Sequence, residues 1–145
     1  MSLFSAWEVS ATGLAAQRQR VELLVQNLAN SETTRTAEGG PYRRRDAVFQ
    51  SEAVPVSFAT MLSRAFGEPL VGVAVAEITV DDSEPDRRYL PGHPDADPQG
   101  YVAFPRVNPA EDMVDLTSAV RSFQANLAAM GAVREMLQRS LDLIR

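Results

Sequence analysis

The side chains best suited to chemistry in this 145-residue sequence sit in one stretch: Asp81, Asp82, Glu84, Asp86, Asp95 and Asp97, with the single histidine, His93, held between Gly92 and Pro94. Paired carboxylates can pass protons in acid–base catalysis or ligate Ca²⁺. The spacing fits no calcium loop, because Asp95 and Asp97 are followed by Pro98 and the distal glutamate is missing. A charge run of this kind reads as a solvated acidic loop, and a lone turn histidine as a hydrogen-bonded structural residue. No Gly-rich phosphate loop and no Gly-x-Ser-x-Gly elbow occurs, and the absence of cysteine removes thiolate nucleophiles, disulfides, Fe–S clusters and zinc-thiolate sites together. The expectation is no catalytic residue, no metal site and no cofactor, with a carboxylate-dependent hydrolase on the acidic loop as the rival from the enzyme class.

Charge narrows the partners. The net charge is −5, and all fourteen basic residues are arginine. Residues 77–115 hold three Arg and ten acids, a local −7, between terminal stretches that are close to neutral. Nucleic acid needs a coherent basic face to neutralise phosphates, and Arg43, Arg44 and Arg45 are too short a patch to supply one. No apolar run approaches the ~18 residues that span a bilayer, and no charged start leads into an apolar stretch with a small-residue cleavage site. Neither membrane insertion nor a Sec-type signal peptide is expected.

The elements that position these residues are clearest at the ends. From Ser2 to Asn30 there is no proline and one glycine, and Trp7, Leu14, Val21 and Leu28 form one heptad column beside Leu3, Ser10, Gln17 and Leu24. Asn27 and Asn30, flanking Leu28-Ala29, are read as capping the end of this helix. At the C-terminus, Leu116, Phe123, Met130, Leu137 and Ile144 form one column and Met113, Val120, Leu127, Arg134 and Leu141 the other, with Arg134 alone breaking the apolar pattern. That helix starts after Pro109, with Glu111 and Asp112 in the first turn, where the helix dipole favours negative charge. Gly13 and Ala11 would permit close helix approach. Between the helices, 47–54 and 70–80 are predicted strands, 57–66 a short helix from the spacing of Phe58, Met61, Leu62, Ala65 and Phe66, and 81–100 loop or a small irregular β-element.

The reading is an α+β chain: an N-terminal assembly helix in 1–34, a β-rich middle region with an acidic Pro/Gly loop in 35–108, and a C-terminal assembly helix in 109–145. The two helices could pair within one chain, as in a soluble adaptor or export chaperone, or their seams could be completed by other subunits.

Specific residues add to this. Gly13-Leu14-Ala15-Ala16-Gln17, Arg20, Asn27-Leu28-Ala29-Asn30 and Thr33 or Thr34 resemble the N-terminal signature of the axial proteins of the bacterial flagellum, the rod and hook family. Pro41-Tyr42-Arg43-Arg44, Tyr89-Leu90-Pro91-Gly92-His93-Pro94-Asp95-Ala96-Asp97, Gly100-Tyr101-Val102, Pro105, Glu111, Met113-Val114, Ser118-Ala119, Arg121 to Asn126 and Leu141-Asp142 are similar to the basal-body rod members of that family. The resemblance implies a structural subunit of the proximal rod that polymerises through its terminal helices and transmits torque. It implies terminal helices that order on assembly, and an interface at Trp7, Leu14, Val21, Asn27, Leu28, Asn30, Leu116, Val120, Phe123, Leu127, Met130 and Leu137, buried only in the assembly. The implied partners are further copies of the chain, other rod proteins, the basal-body junction protein and the flagellar type III export apparatus. The implied location is the periplasm-spanning rod, reached without a cleaved signal peptide.

Overall fold

The computed structural model describes residues 3–53 and 71–143. Two long helices, α1 (Leu3–Ala29) and α2 (Pro109–Asp142), enclose four strands in the chain: β1 (Arg45–Ala53), β2 (Val71–Val80), β3 (Asp86–Tyr89) and β4 (Tyr101–Phe104). The α+β reading holds, and both predicted strands begin and end within two residues of their observed limits. The short helix expected at 57–66 lies outside the described residues, as do Val54, Leu70, Ile144 and Arg145. Among the described residues no helix is long and apolar enough to cross a membrane.

The helices pack against each other as an antiparallel pair. Gly13 of α1 faces Asn126 of α2, whose Nδ2 stands 3.1 Å from where a Cβ on Gly13 would sit, and a turn or two further along Arg20 reaches Asp115 at 3.7 Å. Several of the residues buried on the two helices are small: Ala16 on α1, beside Leu23 and Leu24, and Ala119 and Val133 on α2. Small side chains bring the backbones close, so the pair is tight and its core is thin.

The strands form two separate hairpin-like sheets. β1 and β2 pair antiparallel, with the register slipping between Val48 and Phe49 so that Ala76 bulges out of β2. This sheet rests on α1, where the Thr12 hydroxyl accepts the Val73 N–H at 3.2 Å. β3 and β4 pair antiparallel from Asp86↔Phe104 to Tyr89↔Tyr101. The chain between them doubles back through Gly100, whose φ of 84° and close approach to the Tyr89 ring, 2.8 Å from a Cβ position, admit only glycine. The stretch expected to be irregular thus contains an ordered hairpin with Val102 and Phe104 buried beneath it.

Asn27 ties these parts together. It is 0% exposed, its Oδ1 accepts the Arg45 N–H at 3.0 Å and the Tyr42 hydroxyl at 2.9 Å, and its Nδ2 donates to the Arg45 carbonyl at 2.9 Å. The amide imitates a paired strand at the first residue of β1. The expectation that Asn27 caps α1 is therefore corrected: its side chain points inward from the last full turn and its partners lie 15 and 18 residues on. Asn30 does cap, donating from Nδ2 to the Gln26 carbonyl at 2.8 Å.

Asn27→Ala removes three hydrogen bonds, two of them to the backbone of Arg45; it should lower unfolding free energy by ~2–4 kcal/mol, read by urea denaturation. A loss below ~0.5 kcal/mol would contradict this role.

Candidate helix-pair interface and its polar junction

The acidic stretch is built into the fold. Thr34 Oγ1 donates to Asp95 Oδ2 at 2.8 Å, and Arg35 lies 3.6 Å from Asp95 Oδ1. Asp97 Oδ1 accepts the backbone N–H groups of Gln99 and Tyr101, and His93 Nδ1 accepts the Asp95 N–H at 3.1 Å. Asp81 accepts both the hydroxyl and the N–H of Ser83, which holds its carboxyl below the usual range, and Asp82 pairs with Arg43. These groups close turns and tie the 81–100 region to the chain that follows α1. Asp95 and Asp97 are thus structural rather than merely solvated. Among the described residues no group of three or more His, Asp or Glu side chains is placed to hold a metal.

The chemistry that remains is that of surfaces. On α2 the line facing α1 runs through Asp112, Leu116, Ala119, Phe123, Asn126, Met130, Val133 and Leu137, all buried or half-buried. Leu116, Phe123, Met130 and Leu137 accordingly have cover within the chain, which corrects the expectation that only neighbouring subunits bury them. The second predicted column is not on this line. Met113 and Leu127 are each 55% exposed, Leu141 is 68% exposed, and Val120 is exposed as well. Heptad spacing identifies both columns without saying which residues stand beside the first one on the face that meets α1. The helix presents Asp112, Ala119, Asn126 and Val133 there, small or polar residues that let α1 approach.

On α1 the buried positions are Ser5, Ala16, Leu23, Leu24 and Asn27, whereas Trp7, Leu14, Val21 and Leu28 are half-buried. At about 100° per residue, the Trp7–Leu28 column lies about a quarter-turn past the line that meets α2. The Met113–Val120–Leu127 column lies about a quarter-turn past the line on α2, in the same rotational sense. In an antiparallel pair that places both columns on one side. The β1–β2 sheet rests on the other flank of α1, the flank of Thr12. Among the described residues the helix layer therefore has a sheet on one side and a largely apolar stripe, interrupted by Arg134, on the other.

One buried charge sits where α2 begins. Asn108 caps the helix, accepting the Ala110 N–H at 3.1 Å, and Pro109 occupies its first turn. Asp112 follows, 1% exposed, with Arg44 Nη2 3.2 Å from Oδ1 at an angle that makes no hydrogen bond, so neither carboxylate oxygen accepts one. Arg44 divides itself between Asp112 and Asp46, the latter at 3.0 Å. Burial pushes the Asp112 carboxyl up from its ordinary value, with Arg44 opposing and Asp46, Asp115 and Glu111 adding to the rise. Sequence reasoning saw Asp112 only as a favourable charge in a helix first turn; Arg44, far away in the chain, gave no signal.

Comparison with known proteins bears on this surface. The family defined by the C-terminal region of the flagellar basal body rod FlgEFG proteins matches residues 99–143. The chain is 41% identical to the flagellar basal-body rod protein FlgC of Bacillus subtilis, with 99% of each chain covered. It is 37% identical to that of Borreliella burgdorferi, covering 100% of this chain and 99% of the relative. With the FlgC of Salmonella typhimurium it shares 34% identity over 99% of this chain and 98% of the relative.

The junction yields a pH test. A carboxyl whose pKa is raised on folding binds its proton more tightly in the folded chain, so its contribution falls as pH climbs from the ordinary aspartate range through the raised value. Asp112→Asn should therefore gain stability relative to the wild type as pH rises through that window, measured by denaturation at several pH values. A wild type that gains on Asp112→Asn over the same window would show that Arg44 stabilises the carboxylate more than burial penalises it.

Proposed function

The chain belongs to the FlgC family of flagellar basal-body rod proteins, and from that premise we propose that it is a structural subunit of the proximal rod. It polymerises with copies of itself and with other rod proteins through the apolar side of its α1–α2 layer and transmits torque without catalysing a reaction. The observation that carries this reading is the exposed column Met113, Val120, Leu127 and Leu141 beside the half-buried column Trp7, Leu14, Val21 and Leu28. The assembly segments are 1–34 and 109–145, and 35–108 lies outside the helical layer. The chain passes through the flagellar type III export apparatus, and the basal-body junction protein is a further neighbour.

Magnitudes favour an array over a pair. Full burial of a large apolar side chain contributes ~1.5–3 kcal/mol, so the four exposed residues of the α2 column supply at most ~6–12 kcal/mol. Association costs about 4–15 kcal/mol in lost freedom. One contact through this stripe is marginal, and repeated contacts around a helical array are not. The soluble-adaptor reading draws on the intramolecular α1–α2 pair, and an exposed apolar column would serve an adaptor as well as a rod subunit; full-length similarity to proteins named as basal-body rod proteins favours the rod.

Leu127→Asp tests the proposal. With the side chain more than half exposed in the single chain, the monomer should keep its stability within ~0.5 kcal/mol and still be exported, while rods fail and swimming stops. Normal swimming would remove the stripe from the interface.

A further inference from the structure

The stripe contains one charge, and the chain carries a counterpart for it. Arg134 continues the Met113–Val120–Leu127 column and is exposed, and among the described residues no carboxylate lies within ion-pair distance. Its neighbour Glu135 is engaged by Arg139 at 3.8 Å. Covering the stripe takes Arg134 out of water, and an unpaired buried cation costs several kcal/mol, so the covering surface must offer an anion.

α1 has four charged residues. Arg18 pairs with Glu22 at 2.9 Å and Arg20 with Asp115 at 3.7 Å, which leaves Glu8 with no ion pair to another of the described residues. Glu8 is one turn before Thr12 and shares its flank, the side of α1 that carries the β1–β2 sheet. Arg134 is on the opposite side of the layer, so the two do not pair within a chain. They do stand at nearly the same height. Counting back five residues from Gly13 gives Glu8, and counting forward five from Asn126, its partner across the pair, gives Gly131. Arg134 is three residues further, about 4.5 Å along the axis.

We propose that, in the assembly, Arg134 of one copy pairs with Glu8 of the next, so that copies stack with the stripe of one helix layer against the sheet-bearing side of another. The contact is head-to-tail, which produces an open array rather than a closed dimer. This rests on the rod-subunit reading and adds to it the identity of the neighbour and the register.

Charge reversal in motile cells tests the pairing. Glu8→Arg and Arg134→Glu should each reduce rod assembly about tenfold, since like charges at a covered contact disfavour association, and the double reversal should recover most of it. A double variant no better than the singles overturns the pairing. Because the chain has no cysteine, Glu8→Cys with Arg134→Cys gives an independent reading: oxidised basal bodies should yield a ladder of disulfide-linked oligomers, and assembled rods without one overturn the pairing as well. Leu127→Asp in the same strains separates the two levels. If it stops assembly while the pairing tests fail, only the register is wrong; if it leaves assembly intact, the stripe itself is not the interface and the pairing falls with it.

Discussion

The amide of Asn27 is the contact on which the arrangement depends. A helix and the strand that follows it have no backbone groups to exchange, yet the first residue of β1 must be held against the end of α1 for the sheet to lie on the helix. Asn27 supplies one donor and one acceptor in the geometry of a neighbouring strand, and Tyr42 takes up the second lone pair of its oxygen. Being fully buried, the amide has no water to fall back on, so each of these bonds is obligatory. Burial pushes the pKa of the Tyr42 hydroxyl up from its ordinary value, in keeping with its role as a donor. With that corner fixed, Arg44 is delivered to Asp112 and the start of α2 is registered against the start of β1.

The helix layer inherits both its strength and its incompleteness from small residues. Gly13, Ala16, Ala119 and Val133 let the backbones approach, and the large apolar side chains of Met113, Val120 and Leu127 are turned to one side. A monomer optimised for its own stability would face Leu127 and Val120 inward; here Asp112 and Asn126 take those places. The buried Asp112, with a cation shared with Asp46 and no hydrogen bond, is a second sign that the single chain is not at its stability optimum. Both features fit a subunit whose remaining apolar surface belongs to contacts with its neighbours.

Much of this was legible in the residues. Heptad spacing located both helices, Val-rich runs located β1 and β2, and Pro109 with its two following acids marked the start of α2. The Leu116–Leu137 column was recognisable because large apolar residues recur at the spacing the contact uses. The second column was not, since periodicity identifies a stripe without saying which edge of it meets the partner, and the deciding positions hold Ala, Asn and Asp. The tertiary partners of Asn27 and Asp112 were not legible for another reason. They are set by folding, and a local motif such as a cap or a first-turn acid was the only signal each residue offered. The acidic loop looked solvated because Thr34 and Arg35, which hold Asp95, lie some sixty residues away from it.

The central claim, that the apolar side of the α1–α2 layer is open in the single chain and covered in the rod, is most directly tested by thiol accessibility. The sequence lacks cysteine, so Leu127→Cys carries the only thiol, and its rate of maleimide labelling can be compared between purified monomer and isolated basal bodies, with Arg87→Cys on exposed β3 as the reference. The account predicts rapid labelling of position 127 in the monomer and protection of at least about tenfold in the rod, set against the reference site. Equal labelling in both would contradict it.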